Sequence, residues 1–116
     1  MLLAVATAGP FATASAALVP AFYVKVTAQG PQPKVARAVV GFSPVVWYSD
    51  VDRGKRVIFP SGACHVRVSA RIGVQHLCYF KKPGRYAYRI EGLPGSGVVI
   101  VRAARPGERY CGGPCK

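Results

Sequence analysis

Between residues 83 and 101 the chain carries a turn, an alternating run, a glycine cluster and a solid apolar run, an order that reads as two consecutive strands. In Pro83-Gly84 the proline ring holds its φ at about −65° and the glycine accepts a positive φ, so the chain reverses there. Tyr86, Tyr88 and Ile90 then fall on one face of a strand, and Arg85, Ala87 and Arg89 on the other. Gly95-Ser96-Gly97 ends that strand. Val98-Val99-Ile100-Val101 is apolar on both faces, which predicts a second strand buried on both sides. Strands packed at the end of a small all-β domain follow from this pattern.

Other strand-like stretches agree. Residues 21–27 predict the first strand of a sandwich, 35–40 and 45–48 two more, and 57–59 a fourth, closed by Pro60-Ser61-Gly62. Trp47 is a candidate core plug between two sheets. Residues 29–33, with Gly30, Pro31 and Pro33, read as a loop. Residues 50–56 read as a solvated turn in which Asp50 and Asp52 pair locally with Arg53, Lys55 and Arg56. With 116 residues, one core is expected. The division is an apolar arm at 1–19, a sandwich at 20–104 and a cysteine-bearing tail at 105–116.

Two stretches carry a resemblance to a known family. The run from Phe80 through Pro83-Gly84 to Tyr86 and Tyr88 resembles the segment that leads to the copper-binding cysteine of the cupredoxins, the plastocyanin type, and residues 45–62 resemble that family's other signature strand and loop. The resemblance implies a Greek-key β-sandwich. It also implies where copper ligands would stand: Ile90 at the cysteine position, Lys55 and Leu93 at the two histidine positions, with no methionine beyond Met1. A type 1 site needs two imidazoles and a thiolate. A cupredoxin-like sandwich lacking the copper ligands, with no cofactor, is the expectation.

Cys64, Cys78, Cys111 and Cys115 are an even set in a short chain, which suits disulfides and an oxidising compartment. Residues 64–68 and 74–78 read as two arms of a hairpin, with Cys64 opposite Cys78 and Val66 opposite His76, a geometry that permits a disulfide. An alternative metal site from His65 and His76 with the same cysteines is set back by alternation, because His65 points away from Cys64. The two cysteines of the tail can close a local loop or pair elsewhere. No P-loop, dinucleotide fingerprint or internal repeat is present.

Residues 1–24 contain no charge. A secretory signal with Ala14-Ser15-Ala16 as a cleavage site, a membrane helix interrupted by Pro10 and Pro20, and an apolar arm that adds a strand to another subunit are the three readings. The arm reading places Leu2, Leu3, Val5, Phe11, Leu18 and Val19 on the assembly surface.

Sixteen Lys and Arg face only Asp50, Asp52, Glu91 and Glu108, a net charge of +12. Two histidines and four acids leave no catalytic constellation, so the expectation is a non-enzyme. Three functions fit. The first is a secreted or cell-surface structural subunit that polymerises with copies of itself through the arm. The second is an accessory subunit of a membrane respiratory complex, or a divergent copper electron-transfer protein. The third is a module binding anionic polymers, glycan or nucleic acid, through Arg53, Lys55, Arg56, Lys81, Lys82 and Arg85.

Overall fold

A computed structural model describes residues 18–71 and 75–110. Ten strands form in chain order: β1 (Leu18–Val19), β2 (Phe22–Thr27), β3 (Gly30–Gln32), β4 (Val35–Val39), β5 (Val45–Tyr48), β6 (Arg56–Ile58), β7 (His65–Arg67), β8 (Gly84–Ile90), β9 (Ser96–Arg102) and β10 (Arg109–Tyr110). Two sheets face each other. One has the order β3-β2-β5 and the other β4-β9-β8-β6-β7, so the chain crosses between sheets in the Greek-key manner, while β1 and β10 form a separate parallel pair. No helix occurs among the described residues, and none is long and apolar enough to cross a membrane.

Alternation sets what lies between the sheets. Val24, Val26, Val45 and Trp47 come from the smaller sheet, and Ala36, Ala38, Val57, Tyr88, Ile90, Val99 and Val101 from the larger. Trp47 is fully buried, as its place between the sheets predicts, and meets Phe59 and Tyr88 edge-on at ring centroid distances of 5.9 and 5.1 Å. Each such large side chain contributes about 1.5–3 kcal/mol by leaving water.

Four expectations change. Residues 29–33 are not all loop: Gly30–Gln32 pairs antiparallel with β2. Pro31 is tolerated because β3 is an edge strand, where a missing N–H costs no ladder bond. The 64–68/74–78 hairpin does not form either. The turn at Pro60-Ser61-Gly62, with Gly62 at φ +76° donating to the Phe59 carbonyl at 2.9 Å, sends β7 back along β6, so Val66 pairs with Val57 and not with His76.

The residues after β7 cross instead to β5, where Ser69 exchanges backbone bonds with Trp47 and Ser49 and Cys78 with Val45. The Cys64–Cys78 disulfide forms all the same, with a Cα separation of 6.0 Å. It joins the last strand of the larger sheet to the segment lying along the smaller one. Asp50 meets Arg71 at 3.8 Å, not the cations of its own turn. Finally, β9 is buried on one face only: Val99 and Val101 point inward, while Val98 and Ile100 are half-buried on the outer face.

Of the arm, Leu18 and Val19 pair with Arg109 and Tyr110 of the same chain. Leu2, Leu3, Val5 and Phe11 lie outside the described residues, as do Cys111 and Cys115.

Candidate functional site: an arginine face and a ligandless pole

The outer face of the larger sheet is built by three registers acting together. β4 runs parallel to β9 with Arg37 beside Ile100 and Val35 beside Val98. β9 runs antiparallel to β8 with Ile100 beside Arg85, Val98 beside Ala87 and Ser96 beside Arg89. β8 continues to β6 and β7, with Arg89 beside Ile58 and Ile58 beside His65, then Arg56 beside Arg67. One rung of the sheet therefore reads Arg37, Ile100, Arg85, and another Ser96, Arg89, Ile58, His65. Strand spacing puts the two arginines of the first rung about 10 Å apart across Ile100, and Arg85 and Arg89 about 13 Å apart along β8.

Six arginines share this face, Arg37, Arg56, Arg67, Arg85, Arg89 and Arg102, and no lysine of the strands does. Two are neutralised locally. Glu108 holds Arg102 through a two-pronged contact, 2.7 Å at each oxygen, and also accepts from the Arg105 backbone N–H at 2.6 Å. These donors lower its pKa to about 2, the Arg102 bond first. Glu91 accepts from the Arg56 backbone N–H at 3.0 Å and lies 3.4 Å from its guanidinium, and the backbone bond is the main cause of its lowered pKa. Arg67 donates to the Gly54 carbonyl at 2.8 Å. Arg37, Arg85 and Arg89 are exposed and meet no carboxylate among the described residues. At the β4 edge a groove of ≈ 390 Å³ continues the face, with Val39 and Ile100 along it and Pro20, Arg37 and Arg105 at its sides.

The basic residues expected from sequence divide. Arg56 and Arg85 are on this face at opposite ends of β8, Arg53 and Lys55 lie in the turn before β6, and Lys81 and Lys82 in the turn before β8. Arg37 and Arg89, which fill the space between, are not among the basic residues expected from the sequence. Their alternation with apolar neighbours is visible in the sequence; their adjacency depends on the β4–β9 pairing.

The second region is the end of the β6–β8 ladder. Val57 pairs with Ile90, the Glu91 N–H donates to the Arg56 carbonyl at 2.9 Å, and the Leu93 N–H to the Ile90 carbonyl at 3.1 Å. The Lys55 ammonium then lies over Gly92, 3.6 Å from where a Cβ would stand. Lys55, Ile90 and Leu93 are thus brought to one pole of the sandwich, Ile90 fully buried and Leu93 packed against the core. His65 and His76 do not join them. Both are exposed, and the His76 ring lies 3.3 Å from the Arg67 carbonyl. The cysteines between them are joined to each other, and no group of three or more His, Cys, Asp or Glu among the described residues could hold a metal.

No protein-family model matches the sequence, and a search of curated proteins gave no match. Solved structures do. A Cu(I) structure of an amicyanin point mutant superposes with a TM-score of 0.54 at 21% identity, covering 71% of this chain and 82% of that one. The reduced Cu(I) form, at pH 4, of a second amicyanin point mutant gives 0.54 at 21% identity over 77% and 89%. The fold is cupredoxin-like. A pseudoazurin from Sinorhizobium meliloti matches at 20% identity with a TM-score of 0.49, over 72% of this chain and 75% of that one.

In this cupredoxin-like sandwich the residues at the expected ligand positions do not fit copper. An ammonium, a sec-butyl and an isobutyl group supply neither thiolate nor imidazole. What the pole does instead is structural: Ile90 and Leu93 close the core, and Lys55 adds a charge above it.

Proposed function

We propose that this protein is a binding module of an oxidising compartment whose outer sheet face holds an anionic partner. The observation behind this is the set of three exposed arginines, Arg37, Arg85 and Arg89, on one sheet face without carboxylate partners among the described residues, interleaved with aliphatic side chains. Guanidinium groups are the cations best suited to this: they are weakly hydrated, lie flat on aliphatic neighbours and grip phosphate or sulfate oxygens two at a time. The net charge of +12 adds long-range attraction, and the face adds a place for it to act. The Cys64–Cys78 disulfide supports the oxidising compartment, and secretion to the cell surface is part of the proposal.

Retention on immobilised heparin tests this reading. The triple variant R37Q/R85Q/R89Q is expected to elute at much lower salt than wild type. K25Q/R53Q/R109Q removes the same charge away from the face and is expected to shift elution far less. Equal shifts would overturn the face as the site. Polymerisation through residues 1–19 draws less support, since Leu18 and Val19 pair within their own chain. Copper electron transfer draws on the fold alone and has no ligand set at the pole.

A further inference from the structure

We infer that the anionic partner is the headgroup surface of a lipid bilayer, an inference that rests on the arginine face and gives it a specific occupant. Shape comes first. Five strands and up to seven residues per strand give an open sheet surface roughly 20 Å on a side, which suits a broad surface better than a single chain in a cleft. Composition points the same way. Between the arginines stand Val35, 41% exposed, and the half-buried Val98, Ile100 and Ile58. A hydrated polymer gains little from these side chains. At a membrane interface they leave water while the guanidinium groups bind phosphates.

The aromatic residues decide against a stacked polymer. Bases of a single strand need aromatic platforms, and no Phe, Tyr or Trp belongs to this face, whose one imidazole, His65, stands at its β7 edge. Tyr86 and Tyr88 are on the inward side of β8, and Tyr23 and Tyr48 belong to β2 and β5 of the other sheet. At the β4 edge, the groove beside Pro20 lets one headgroup phosphate reach Arg37 and Arg105 over the apolar side chains of Val39 and Ile100.

The test is co-sedimentation with phosphatidylcholine vesicles, with and without phosphatidylglycerol, beside the heparin column. Wild type is expected to bind the mixed vesicles and not phosphatidylcholine alone. Each arginine at an anionic surface strengthens binding about fivefold, so R37Q/R85Q/R89Q is expected to weaken it about 100-fold. The charge-matched K25Q/R53Q/R109Q is expected to weaken it far less. Val35→Ser, at an exposed position, is expected to weaken vesicle binding severalfold and leave heparin retention unchanged. Vesicle binding that is equal in the two triple variants, or untouched by Val35→Ser, would overturn the inference. Heparin retention that depends on the face, with no vesicle binding, would overturn it too and leave the arginine face standing as a polymer site.

Discussion

Gly97 faces the ring of Tyr88 across the β8–β9 pair, and the two have to be considered together. A Cβ at Gly97 would stand 2.5 Å from both Cζ and the hydroxyl oxygen of Tyr88. The ring cannot yield, because Trp47 and Phe59 press on it at 5.1 and 5.4 Å. Gly97→Ala is therefore expected to lower stability by about 1–3 kcal/mol, the usual cost of overpacking a core, read as a lower denaturant midpoint at unchanged slope. Burial also raises the Tyr88 hydroxyl's pKa, and the nearby Trp47 N–H offsets part of that rise without reaching hydrogen-bonding geometry. The place of Tyr88 on the inward face was legible in the alternation of residues 85–90. The need for glycine opposite it was not, since it depends on which residue of β9 the register sets there.

Among the elements, β7 and the turn before β10 each carry one tie, beyond their strand pairing, that can be removed by itself. The Cys64–Cys78 link spans 14 residues, and in the chain-entropy view a loop near that size contributes about 3 kcal/mol. Cys64→Ser/Cys78→Ser is expected to lose about that much, with raised hydrogen exchange at residues 65–67 ahead of β8 and β9; exchange rising evenly across both sheets would contradict this placement. The turn that leads to β10 depends on Glu108. Its pKa is depressed to about 2 from the ordinary 4.5, so its support is present above pH 4.5 and is lost as pH falls towards 2. Faster exchange of the Arg105 amide over that window, abolished in Glu108→Gln, is the expected result. The Cys64–Cys78 pairing follows in the sequence only from a hairpin that the chain does not form, and the two cysteines meet across the sheets instead. The hairpin reading assumed that neighbours in sequence pair, and the sharp turn at Gly62 gave β7 to β6 instead.

For the whole molecule, the fold was legible because two strand-and-turn patterns sit at cupredoxin-like positions and the alternation identifies the core. The arginine face was half legible. Arg85 and Arg89 alternate with inward residues on β8, yet the third member, Arg37, arrives through a parallel pairing with β9 that no local pattern reveals. The pole behaves as the residue types at 55, 90 and 93 require. Added Cu(II) is expected to give no intense blue thiolate-to-copper absorption, and a strong band would contradict the packing role assigned to Ile90. The placement of anion binding on one face of the sandwich is tested most directly by two-dimensional NMR during titration with a short heparin fragment or soluble phosphatidylglycerol. Shifts concentrated at Val35, Arg37, Arg85, Arg89, Val98 and Ile100 are the predicted result. Shifts centred on residues 53–55 or 81–82, or spread evenly over the surface, would contradict it.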